Sequence, residues 1–249
     1  MKWRSVQKWS GLALSTVVVV ATLWLAATNQ LILYIHPRYV VFTVIMAVLA
    51  LIVAVLALVL PTGHDHEEPA TGWRKALSVS AMVLTVAIAA ALIIVPPATL
   101  TSATAGQREL NSTSVGADAQ TVDGASSQSA AAFAKFTVVD WASLLRQTSD
   151  TAFYASKGAD VVGFITADED DPQNVFWVSR FIITCCAVDA QPIGVPVYAP
   201  DWESNYELDG WVRVTGEFAS NPSRDSSTAI ALVPEKITKV ETPDEPYLF

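Results

Sequence analysis

Residues Val175 to Ala190 read VFWVSRFIITCCAVDA, a strand-like run from Val175 to Thr184 that ends on two adjacent cysteines and an aspartate. The chain has no other cysteine. Consecutive Cα atoms across a trans peptide lie about 3.8 Å apart, whereas an ordinary disulfide spans about 4.4 to 6.8 Å. Cys185 and Cys186 could therefore bond to each other only with strain. They read as free thiols, soft-metal ligands or a labile redox pair. Side chains alternate along a strand, so a site shared by both thiols requires the strand to end or bulge there. The sequence Ala187 to Ala190, leading into Gln191 and Pro192, supplies such an ending. Asp189 is then a hard co-ligand, an electrostatic modulator of the thiols, or a simple turn former. The bland alternative makes the cysteines small buried hydrophobes; against it, an unpaired thiol is unusual in an oxidising exterior. Arg180 lies on the same run with apolar neighbours and needs a carboxylate partner if it is buried.

Outward from this run, short strand signals separated by turn residues predict further strands at Val161 to Thr166, Gly194 to Tyr198, Trp211 to Phe218, Ala229 to Val233 and Lys236 to Val240. The acidic DEDDPQN and the polar NPSRDSS are turns between them. Asp140 can cap one short helix carrying Trp141, Leu144 and Leu145. Gly163 and Gly216 fall inside strands, where a small barrel must bend. The expected fold of residues 135–249 is an all-β, OB-like small barrel with one short helix; a β-sandwich is its rival.

Upstream, residues 98–134 are dominated by Ala, Ser, Thr, Gly and Gln and carry too few large apolar side chains for a core, which predicts a flexible linker. Residues 1–97 hold the apolar excess of a chain that is 52% hydrophobic and only 16% charged, too apolar for one soluble globule. Three membrane-length segments, at about 12–35, 40–60 and 76–95, predict three transmembrane helices, making the whole an α+β membrane protein. The first segment must be weighed against a cleaved signal peptide, because Lys2, Arg4 and Lys8 form a basic leader; its apolar run is longer than such peptides use. Lys and Arg counted at the helix ends place the amino terminus in the cytoplasm. Three crossings then put the carboxy-terminal domain outside a multi-pass cell-membrane protein.

After Pro96 there are nine Lys and Arg against twenty-one Asp and Glu, a net charge of −12. So acidic a domain repels phosphate backbones, which excludes nucleic acid as a partner and favours cations. A second cluster, His64, Asp65, His66, Glu67 and Glu68, offers two imidazoles and three carboxylates to Zn²⁺ or a similar ion, although it lacks the spacing of a closed site and also reads as a solvated acidic loop. His36 precedes Pro37 and reads as a helix end. The tryptophans at 141, 177, 202 and 211 could form a base-stacking platform, but the negative field makes barrel core the better reading for Trp177 and Trp211. The chain has no Gly-rich phosphate loop, no HExxH and no Gly-x-Ser-x-Gly. Nor does it have a histidine beyond position 66 to activate a serine or cysteine. No enzyme activity is expected.

The layout as a whole resembles the YcgQ-like family of two-component permease subunits: membrane helices, VPPATL, a tether, then VSRFIITCCAVDA, GWVRVTGEF and EKITKVETPDEPYLF. The resemblance covers most of the chain, and SRFxITCCxxDA followed by WVxVxG is fairly specific. It implies a polytopic permease as partner and marks Arg180, Cys185, Cys186 and Asp189 as positions of interest. It also implies a link to export of metals or metalloids. The expectation is a membrane accessory subunit whose outer domain caps the exit or senses a soft cation such as Zn²⁺. A stand-alone envelope metal-binding or redox-sensing protein is the alternative.

Overall fold

The computed structural model describes residues 3–59, 99–112, 120–155 and 157–249, with isolated positions between 73 and 91. The chain divides into two compact units, Met1–Ala98 and Thr99–Phe249.

In the first unit, helix α1 spans Trp3–Ala27 and helix α2 spans Pro37–Val59, joined by a 3-10 turn at Leu31–Leu33. Asn29 stops α1. It takes the left-handed conformation (φ 57°), its amide donates to the Ala26 carbonyl, and the Gln30 amide donates to the Leu25 carbonyl, the Schellman arrangement that satisfies the last carbonyls of a helix. Proline at the first helical position then starts α2, where its missing N–H costs nothing. The expectation of three membrane-crossing helices does not hold. Among the described residues, one helix is long and apolar enough to cross a membrane: residues Pro37–Ala57 of α2, with a mean hydropathy of 3.2. The first expected span, 12–35, is cut at Asn29, leaving only the shorter apolar stretch Ser15–Ala27. Most of the third, 76–95, lies outside the described residues.

The second unit is built on six strands: β1 (Gly158–Ala167), β2 (Val175–Ile182), β3 (Gln191–Tyr198), β4 (Trp211–Ser220), β5 (Ile230–Lys239) and β6 (Tyr247–Leu248). Their order is β1-β4-β5-β3-β2-β6, and β1 also pairs with β2, so five strands form a ring. Four of the ring's seams are antiparallel; β3 meets β5 in parallel at Val197 and Leu232 alone, and β6 runs parallel to β2. Pro192 and Pro196 deprive β3 of amide donors, which fits so thin a seam. The two strands expected at 229–233 and 236–240 are one. Pro234 is accommodated opposite Gly216, where the β4–β5 register shifts.

Inside the ring Ile165, Phe176, Val178, Ile193, Val195, Val197, Val214 and Leu232 are fully buried. Helix α6 (Val138–Gln147) contributes Trp141, Ala142 and Leu144 to the same core. Trp141 sits against Phe136, Phe133 and Phe218, with ring centroids 5.2, 5.8 and 4.6 Å away. Asp140 does not start this helix as expected. Thr137 caps it, and the Asp140 carboxylate, three residues in, accepts from the Thr137 amide at 2.8 Å, a reciprocal capping box.

Residues 98–134, expected to be a flexible linker, belong in their described part to this unit. They form α3 (Ser102–Ala105), α4 (Val122–Ser126) and α5 (Ala130–Phe133), with Ala105, Ala125 and Phe133 buried. A further short helix, α7 (Thr151–Tyr154), precedes β1. The unit thus has five short helices among its described residues rather than one. Side chains of the rest of the unit tie down the backbone of this stretch: the Leu100 amide donates to the Tyr247 hydroxyl at 2.9 Å, and the Gln120 carbonyl accepts from the Ser143 and Gln147 side chains.

Gly163 marks the closest approach of β1 to β2. A methyl added there would overlap the Ser179 carbonyl oxygen and lie 2.9 Å from Val178 Cγ1. Gly163→Ala is therefore expected to lower unfolding stability by about 1–3 kcal/mol, read as a lower urea midpoint. Gly158→Ala, whose new methyl meets only the Gly216 carbonyl at 3.7 Å, should change it little. Equal midpoints for the two variants would contradict the tight β1–β2 seam.

Candidate functional site

Strand β2 loses its last partner at the cysteines. Ile182 pairs with Leu248 of β6 and the buried Ile183 donates its amide to the Leu248 carbonyl at 2.9 Å; from Thr184 the chain leaves the sheet. Cys186 is still extended (φ −158°, ψ 166°), and a 3-10 turn at Ala187–Asp189 then reverses the chain. The turn returns the Asp189 carboxylate to the amides just vacated: Oδ1 accepts from Thr184 at 3.2 Å and Oδ2 from Cys185 at 2.7 Å. The Asp189 amide donates to the Cys186 carbonyl at 2.9 Å and closes the loop.

With the strand ended, the two thiols face one another. Cys185 Sγ lies 3.4 Å from Cys186 Sγ, neither is in a disulfide, and Cys185 is exposed while Cys186 is half-buried. One ligand atom from each of Cys185, Cys186 and Asp189 lies within 4.8 Å of the others. Two sulfurs about 2.3 Å from a tetrahedral ion stand about 3.8 Å apart, so the thiols are already close enough and only the carboxylate must draw in. Two thiolates and one carboxylate suit a borderline or soft ion such as Zn²⁺. Three protein ligands leave a fourth position open, as in exchanging rather than closed structural sites.

The electrostatics set a condition on such binding. Hydrogen bonding to Asp189, then to Cys186, together with desolvation, pushes the Cys185 thiol up to about 12. Burial raises the Asp189 pKa, but hydrogen bonds from the Cys185 thiol and from the amides of Cys185, Thr184 and Cys186 outweigh it and hold the carboxyl below its usual range. At neutral pH the site is an ionised carboxylate beside a protonated Cys185 thiol. A cation must displace protons to bind, so its affinity rises with pH.

Two residues from the stretch expected to be a linker hold this loop and the strand that follows it. Arg108 Nη2 donates to the Val188 carbonyl at 2.8 Å. Asn111, held at φ 59°, brackets Gly194: its Nδ2 donates to the Gly194 carbonyl at 3.0 Å and its Oδ1 accepts from the Gly194 amide at 2.9 Å. The sequence signal was the sequence Arg108-Glu109-Leu110, which interrupts the small-residue composition.

The other expected site residues do not join the cluster. Arg180 has no carboxylate partner among the described residues. Its Nε and Nη2 donate to the carbonyls of Pro246 and Glu245 at 2.9 and 2.8 Å, and its guanidinium lies 5.2 Å from the Trp211 ring. His64, Asp65, His66, Glu67 and Glu68 lie outside the described residues. Trp141 and Trp202 are buried, and Trp177 donates to Asp168 at 2.9 Å; these tryptophans form no exposed platform.

Alkylation tests the thiol chemistry. Because the thiolate is the nucleophile, and the Cys185 pKa is raised to about 12, the rate of Cys185 modification by iodoacetamide should keep climbing with pH past 9. Asp189→Asn removes the negative acceptor, lowers that pKa, and should speed modification at pH 8 by about tenfold. A plateau near pH 9 in the parent chain, or an unchanged rate in the variant, would contradict this geometry.

The chain belongs to the DUF1980 family, a family of unknown function: residues 12–111 match the DUF1980 N-terminal domain and residues 117–249 the DUF1980 C-terminal domain. The boundary between the two matches falls within the second structural unit. Comparison with curated proteins finds no match.

Proposed function

We propose that this protein is a membrane-anchored accessory subunit of a polytopic permease, and that it receives or senses a soft cation, Zn²⁺ or softer, at Cys185, Cys186 and Asp189. The observation that carries the reading is the convergence of two free thiols and a carboxylate within 4.8 Å on an exposed loop. An open coordination position on an exposed loop favours handing an ion on over storing it. The surrounding negative charge raises the local concentration of cations. Helix α2 supplies the anchor. Among the described residues one apolar helix is long enough to cross a membrane, and such a helix by itself provides no polar path for an ion, so transport requires another chain. That inference, with the resemblance to YcgQ-like subunits, supports the permease partner. The protein acts by binding, without catalysing a reaction.

In this reading the second unit faces outward, with the basic end carrying Lys2, Arg4 and Lys8 on the cytoplasmic side. Purification of the tagged full chain from its native membrane in mild detergent should bring down a polytopic membrane protein in fixed stoichiometry. A membrane-impermeant maleimide should label Cys185 in intact cells. A chain that purifies alone but is labelled would instead be a stand-alone envelope binding or redox-sensing protein, and failure of both tests would overturn the reading.

A further inference from the structure

The second unit carries nine basic residues against twenty-one acidic ones after Pro96, yet three of the nine, Lys135, Arg180 and Arg213, line a single cleft of about 370 Å³. Asp160 is the one carboxylate lining it, and it is already engaged, accepting from Arg213 Nε at 2.7 Å and forming an ion pair with the same guanidinium. Asp140, at the start of α6, is occupied in the capping box and does not line the cleft. The cleft therefore holds a net charge of about +2 within a strongly acidic unit.

Arg180 is the distinctive group. A guanidinium has five donors. Nε and one Nη2 hydrogen are placed on the carbonyls of Pro246 and Glu245, and Nη1 reaches the Val162 carbonyl only at 3.4 Å. Among the described residues the remaining donors have no acceptor. A cation–π contact with the Trp211 ring, 5.2 Å from the guanidinium carbon to the ring centroid, helps hold the fork. Burial pushes this guanidinium down to about 10, the mark of a charge whose solvation has been lost without an anion in exchange. A partly buried charge of that kind is stabilised by a counter-ion brought from outside. Beside the basic groups, Phe136, Val161 and Leu248 give the cleft apolar walls.

We propose that this cleft binds a small amphiphilic oxyanion, a carboxylate or phosphate carried on a short apolar body, with the head group held by Arg180 and Lys135 and the apolar part against Phe136, Val161 and Leu248. A planar fork with free N–H groups suits the paired oxygens of either head group, and a space of this size takes a body of several carbon atoms. The cleft is separate from the Cys185–Cys186–Asp189 loop and shares no residue with it. The chain thus carries a cation-type and an anion-type site on one barrel.

Calorimetric titration of the full chain in non-ionic detergent with hexanoate, hexyl phosphate, inorganic phosphate and hexyltrimethylammonium tests the assignment. Saturable binding of hexanoate or hexyl phosphate is expected, and whichever is tighter identifies the head group. Inorganic phosphate should bind at least tenfold more weakly and the cation not at all. Arg180→Gln should weaken binding by tenfold or more. Because that variant also loosens the carboxy-terminal segment, Lys135→Ala, at an exposed position, provides the second test and should weaken binding several-fold in a folded protein. Equal binding by parent and Lys135→Ala, equal affinity for inorganic phosphate, or no saturable binding of either amphiphile would overturn the proposal.

Discussion

Strand β1 hydrogen-bonds to both β4 and β2, and the rest of the second unit depends on that double pairing. Once β1 closes the ring, β2 is held between β1 and β3, and its free end can extend only as far as β6 accompanies it. That support stops at Ile183. Backbone amides beyond this point need new acceptors, and the Asp189 carboxylate supplies them to Thr184 and Cys185. The cysteine loop is thus a consequence of sheet geometry: the strand runs out of partners, the chain turns, and two consecutive side chains that would have faced opposite ways come to share one side.

The ring's strands were legible in the sequence, and the exceptions have identifiable causes. Strand signals at 161–166, 175–184, 194–198 and 211–218 lie on β1 to β4 because those runs are bounded by turn residues. Pro234 read as a break and split β5 in two; the register shift at Gly216 accommodates it. Strand β6, two residues behind Pro246, is too short to carry a period. Residues 98–134 read as a linker because a composition argument weighs large apolar side chains, whereas Ala105 and Ala125 are buried through their smallness. In the first unit, counting apolar residues missed the left-handed turn at Asn29 that shortens the first helix.

The candidate site was partly legible. Cys185, Cys186 and Asp189 were grouped on the argument that the strand must end there, and the structure places them together. Arg180 was named beside them because it lies on the same run, and again through the resemblance, but it clasps the carboxy-terminal segment instead. Arg108 and Asn111, which hold the loop and the following strand from more than seventy residues away, are long-range contacts that no local pattern announces. The same separation divides the unit's electrostatics: a carboxylate holds the Cys185 thiol protonated at one place, while three of the nine basic side chains gather at another.

The central claim is that the two thiols and Asp189 form one cation site, and the most direct test is Zn²⁺ and Cu⁺ titration of the reduced full chain in detergent, followed by thiolate–metal charge-transfer absorbance. The account predicts stoichiometric binding that tightens as pH rises and is abolished in Cys185→Ser/Cys186→Ser. Absence of binding to either ion, or binding that survives in the double variant, would contradict it.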